Sequence, residues 1–162
     1  HDHGRDLNGD IKSWGRNSRL DNIQAAILLY KLKSYDQVIL RRRAIAEIYQ
    51  KELQDIVELQ LPPGPNASNH HFDVYQNYEL QADFRDELQA YLSSNYIGTL
   101  IQWGGKAIHQ WEGLGFNQKI PKVEEFFKRC IMLPMNIFIS DDDVYHICKT
   151  IKDFYKEYNA KT

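Results

Sequence analysis

Leu61-Pro62-Pro63-Gly64-Pro65-Asn66 constrains the fold of this chain more than any other stretch. Each proline lacks a backbone donor and fixes its own φ, so neither a helix nor a central strand can run through three of them. The residues on either side must therefore build separate elements. This predicts a helical part over residues 1–60 and a mixed part of strands and helices over residues 61–162.

The patterns on each side fit that division. Leu20, Ile23, Ala26, Ile27 and Tyr30 recur at helical spacing over residues 20–33, with Asp21 early and Lys31 and Lys33 late, as the helix dipole prefers. After a break at Tyr35-Asp36, a second helix is expected to about Val57, with Val38, Ile45, Ile48, Tyr49 and Leu53 inward and Arg41–Arg43 on a solvated face. Beyond the prolines, strands are expected over Phe72–Leu80, Ile97–Trp103 and Cys130–Leu133. Helices alternate with them. One is capped by Asp83 and contains Phe84, Leu88, Tyr91 and Leu92, and one spans Lys122–Arg129. The last is capped by Ser140, with Val144, Ile147, Cys148, Ile151, Phe154 and Tyr155 as its buried face. Three strands with helices to one side make an α+β layer.

Composition excludes several classes of function. A net charge of −2 gives no pull towards nucleic acid or acidic lipid. No apolar run approaches the length of a membrane span, and His1-Asp2-His3 has neither the basic start nor the apolar core of a signal peptide. A cytoplasmic protein with no membrane partner is expected. Cys130 and Cys148, the two cysteines, are too few for a disulfide framework and read as buried, reduced thiols. No metal site is expected: His1-x-His3 lacks further ligands, neighbours such as His70-His71 diverge on a strand, and Asp141–Asp143 serve as a helix cap.

Two segments carry chemistry. In Gly15-Arg16-Asn17-Ser18-Arg19, polar donors stand directly before an apolar helix. They suit an anion such as phosphate, or else form an ordinary N-cap with solvated arginines. In Gln102-Trp103-Gly104-Gly105-Lys106-Ala107-Ile108-His109, two glycines permit an unusual turn beside an indole, a cation and an imidazole. Trp103 either faces a ligand or plugs the core, and Lys106 either meets a diphosphate or is solvated.

Gly15-x-Asn17-x-Arg19-Leu20-x-x-Ile23-Gln24-Ala25-Ala26 resembles a segment of the pyridoxal-phosphate-dependent sugar aminotransferases, the DegT–DnrJ–StrS family. His3-Gly4 stands before it as in the family. Arg41-Arg42-Arg43 with Tyr49, Arg85-Asp86-Glu87-Leu88 followed by Ile97-Gly98-Thr99, then His109 and Leu133-Pro134-Met135 continue the likeness in order across residues 3–157.

The resemblance implies the C-terminal part of a type I aminotransferase. It would comprise the end of the large domain with a long interdomain helix, then a small domain with a three-stranded sheet and flanking helices. It implies pyridoxal 5'-phosphate as cofactor, a nucleotide-linked keto-sugar as substrate and glutamate or another amino acid as amino donor. The imine-forming lysine and the aspartate that pairs with the pyridine nitrogen lie upstream in the family, so no catalytic residue is assigned here and the chain alone should be inactive. Asn17 and Arg19 would hold the cofactor phosphate of the neighbouring subunit, which implies a homodimer. Trp103, Lys106 and His109 would border the sugar-nucleotide site, although Gln102-Trp103-Gly104 departs from the His-Tyr-Pro-like sequence of most relatives. A sugar dehydratase of the same fold and a non-catalytic module binding an anion or a partner are the alternatives.

Overall fold

The structure is a computed structural model that describes residues 6, 8, 10, 12–16, 20–68, 70, 72–116 and 118–160. Contacts divide it into two compact units, His1–Gln37 and Val38–Thr162.

The first unit holds α1 (Asn22–Leu32). Asp21 is its N-cap, and the carboxylate accepts the Gln24 N–H at 2.8 Å. The helix has no buried residue; Ile23, Leu29 and Tyr30 are all largely exposed. A second helix, α2 (Tyr35–Leu53), starts after a turn at Lys33-Ser34, slightly earlier than the expected break, and stops short of Val57.

The second unit is α+β. From Val38 onward α2 lies in this unit, followed by β1 (Leu59–Gln60), β2 (Tyr78–Ala82), α3 (Arg85–Ser94), α4 (Pro121–Arg129), β3 (Cys130–Leu133) and α5 (Asp141–Asn159). The sheet has the order β1-β2-β3, with Leu59 opposite Ala82 and Leu80 opposite Ile131, and both pairs are antiparallel. Tyr78, Leu80 and Ala82 alternate along β2 and point into one core. Ile45, Tyr49 and Leu53 of α2, Leu88 and Leu92 of α3, and Val144, Ile147, Ile151 and Phe154 of α5 complete it. Cys130 and Cys148 are buried free thiols; burial raises both pKa values, that of Cys148 to about 12.

Several expectations are corrected. The Arg41–Arg43 face is not solvated. Arg42 donates to the carbonyls of Tyr75 and Gln76, Arg43 to those of Pro65 and Asp73, and Arg41 to Ile139 O and Asp141. Half-buried loop carbonyls need donors, and the arginines supply them. With Tyr75 Oη donating to Pro63 O, these bonds hold the proline stretch against α2 inside the second unit.

The strand expected from Phe72 begins only at Tyr78, because Tyr75 takes φ +50° and is tied to Asp73 by an Asx-type bond. His70, expected at the start of that strand, lies in a turn. Asp83 does not cap α3. Its backbone is engaged by Glu58 and Tyr155 and its carboxylate by Arg129 at 2.9 Å, and Phe84, at φ +56°, stands before the helix. The strand expected over Ile97–Trp103 is reduced to a single bridge, Leu100 opposite Met132.

Candidate functional site

The bridge is short because the chain turns sharply after it. Trp103, Gly104 and Gly105 take φ of +50°, +64° and +73° in succession, a left-handed path that suits the glycines and strains the tryptophan. A Cβ on Gly105 would also meet the Arg85 guanidinium and the Phe127 carbonyl at 3.3 Å. Arg85 itself donates to Phe127 O at 3.3 Å and to Cys130 O at 3.1 Å, which ties α3 to the end of α4. The turn leaves the Trp103 side chain 70% exposed, so it is not a core plug.

Further on, the chain folds back over α4. The Ala107 N–H donates to Gln110 Oε1 at 2.9 Å and closes a short 3-10 turn that carries His109 inward. His109 is 8% exposed, and its Nε2 lies 3.0 Å from Glu124 Oε1. The same oxygen accepts the Ile120 N–H at 2.9 Å, where α4 begins with Pro121. The hydrogen bond from His109 and then that from Ile120 hold the Glu124 carboxyl below the usual carboxylate range. Lys106 Nζ stands 5.3 Å from the centre of the Trp111 ring, a cation–π contact.

These groups border a half-open cavity of about 1050 Å³, lined by Trp103, Lys106, Ile108, His109, Trp111 and Phe127 among others. The structure thus brings Trp103, Lys106 and His109 around one space. Apolar walls with a few polar groups are the usual form of a small-molecule site. Glu124 and Trp111 escape a reading of the sequence. Glu124 lies in the first turn of α4, 15 positions from its partner.

Residues 1–152 match the DegT/DnrJ/EryC1/StrS aminotransferase family. The chain belongs to this family. It is 31% identical over 147 residues to a pleiotropic regulatory protein of Geobacillus stearothermophilus, covering 89% of this chain and 39% of that protein. Against a GDP-perosamine synthase of Escherichia coli O157:H7 it is again 31% identical over 147 residues, covering 88% of this chain and 38% of the relative. Among solved structures, a DegT DnrJ EryC1 StrS aminotransferase from Brucella abortus superposes with a TM-score of 0.76 at 28% identity, over 94% of this chain and 40% of that one. The chain therefore spans about 40% of the length of the family members it matches.

Asn17 and Arg19 lie outside the described residues. Asp21 already occupies the N-terminus of α1 with a carboxylate. Among the described residues no group of three or more His, Cys, Asp or Glu is placed to hold a metal, and no helix is long and apolar enough to cross a membrane.

Proposed function

We propose that the protein carrying this chain transfers an amino group from an amino acid such as glutamate to a nucleotide-linked keto-sugar, with this chain as its C-terminal part. The match over residues 1–152 carries the reading, and the cavity beside Trp103, Lys106 and His109 supports it. On this reading residues 1–60 close the large domain and supply the interdomain helix, and residues 61–162 form the small domain. The apolar side chains exposed on α1 would be covered by the remainder of a cytoplasmic homodimer.

The donor set before α1 fits pyridoxal 5'-phosphate: a carboxamide on Asn17 and a guanidinium on Arg19 match the oxygens of a phosphate, here that of the neighbouring subunit. When bound, the cofactor would supply a reactive aldehyde as carrier of the amino group, with its phosphate held by Asn17 and Arg19. This chain's own contribution is positional. Asn17 and Arg19 anchor the phosphate, Trp103 offers a stacking face, Lys106 meets the diphosphate and His109 bounds the sugar.

The test uses the full-length protein with pyridoxal phosphate, 15N-labelled glutamate and a set of nucleotide-linked keto-sugars. Mass spectrometry of the sugar is expected to show gain of labelled nitrogen. Loss of water without nitrogen would make the protein a dehydratase, and an unchanged sugar across the set would leave a binding module.

A further inference from the structure

Glu124 Oε1 accepts a backbone N–H from Ile120, which can only donate, and the His109 ring nitrogen reaches the same oxygen. An ionised carboxylate has no hydrogen to give. The hydrogen between the two side chains therefore belongs to Nε2, and in the neutral ring Nδ1 then carries the lone pair. Among the described residues no hydrogen bond reaches Nδ1. The residue keeps a small exposed fraction, 8%, and lines the cavity.

We propose that Glu124 is a positioning residue that locks His109 in the Nε2–H form, so that Nδ1 accepts a hydrogen bond from a ligand hydroxyl inside the cavity. The ligand class is a polyol with an apolar ring face, the hydroxyl on Nδ1 and the face against Trp103 or Trp111. This rests on the nucleotide-sugar reading and adds to it the atom that recognises the sugar and the residue that orients that atom. The pair also explains why an imidazole is kept in a largely apolar wall. Held on one edge by a carboxylate that is itself held by a backbone amide, its other edge has a fixed direction and a fixed role.

The first test needs no ligand. Ring 15N spectra of the full-length protein, taken at about pH 8 where an ordinary imidazole is neutral, are expected to show a pyrrole-like Nε2 and a pyridine-like Nδ1 for His109. Glu124→Gln, which keeps an accepting oxygen, should retain this pattern, and Glu124→Leu should lose it. A pyridine-like Nε2 in the wild type, or an unchanged pattern in Glu124→Leu, overturns the proposal.

The second test measures binding of UDP-glucose, dTDP-glucose and GDP-mannose by calorimetry. His109→Gln puts an amide in place of Nε2–H and keeps the link to Glu124 but removes the acceptor at Nδ1. Affinity for the preferred probe should fall about tenfold, the size of one hydrogen bond, with the fold retained. Unchanged affinity overturns the ligand role of Nδ1. If the wild type takes none of the three, the nucleotide-sugar reading fails, while the ring spectrum still decides the state of His109 by itself.

Discussion

Helices α1 and α5 are both apolar on one side in sequence, yet they end in opposite states. In α5, seven residues are buried, Val144 and Ile151 completely. In α1 none is, and Ile23 and Tyr30 are 76% and 75% exposed. A periodic stripe fixes which side of a helix shuns water but not whether anything covers it. For α5 the cover is local: the β2–β3 sheet, α2 and α3 supply it within the same unit. For α1 the described residues supply none, which fits a chain that matches only about 40% of its relatives' length.

The largest test of this contrast is a pair of truncations. Ile151→Ala empties a fully buried site and should cost the 162-residue chain about 2–5 kcal/mol in urea unfolding. Ile27→Ala, at a position half exposed on α1, should change it by less than about 0.5 kcal/mol. Equal losses would show that α1 is packed after all. On the proposal that the remainder of the full-length protein covers α1, the Ile27→Ala loss should there rise towards that of Ile151→Ala.

How much of this was legible in the sequence depended on how local each cause was. β3 and the cap and buried face of α5 stand where their patterns put them, since a four-residue apolar run and a Ser-x-x-Asp box carry their own reasons. Phe72–Asn77 did not become strand: Tyr75 turns out of the extended region, and bonds from distant Arg42 and Arg43 hold that loop's carbonyls. No local pattern announces them. The site divides in the same way. Trp103, Lys106 and His109 lie within seven consecutive positions and were visible as one segment. The carboxylate that fixes His109 arrives from another element and was not.

The arginine clamps sharpen the contrast at an intermediate size. Arg43 donates at 2.8 Å to Asp73 O and at 2.7 Å to Pro65 O, and its guanidinium stacks 4.4 Å from the Phe72 ring. Arg43→Met keeps most of the stem and removes the donors, leaving half-buried carbonyls unpaired. The cost should be about 2 kcal/mol, typical of hydrogen bonds to a charged group. Amide exchange should quicken over residues 65–76 and stay unchanged in α1. Faster exchange in both would mean that α1 depends on the second unit.

The smallest effects come from the two caps, and pH separates them. Ser140→Ala removes the hydroxyl that accepts the Asp143 N–H at 3.1 Å and should cost about 1 kcal/mol of the stability of the second unit. Asp21→Ala removes the equivalent bond to Gln24 N, but α1 buries nothing, so its loss should appear as reduced helicity and leave the urea midpoint unmoved. The Ser140 cap is reciprocal: the Asp143 carboxylate accepts from the Ser140 hydroxyl and backbone N–H, and these bonds lower its pKa from 3.8. A carboxyl whose folded value lies below its unfolded one adds stability that is complete above the unfolded value and is lost as pH falls through the folded one. The difference between wild type and Ser140→Ala should therefore be constant near neutrality and shrink below about pH 4, as protonation of Asp143 weakens the cap in the wild type alone. A difference that stays constant into strong acid would mean that the Asp143 half of the box contributes nothing, and that α5 is held by its buried face alone.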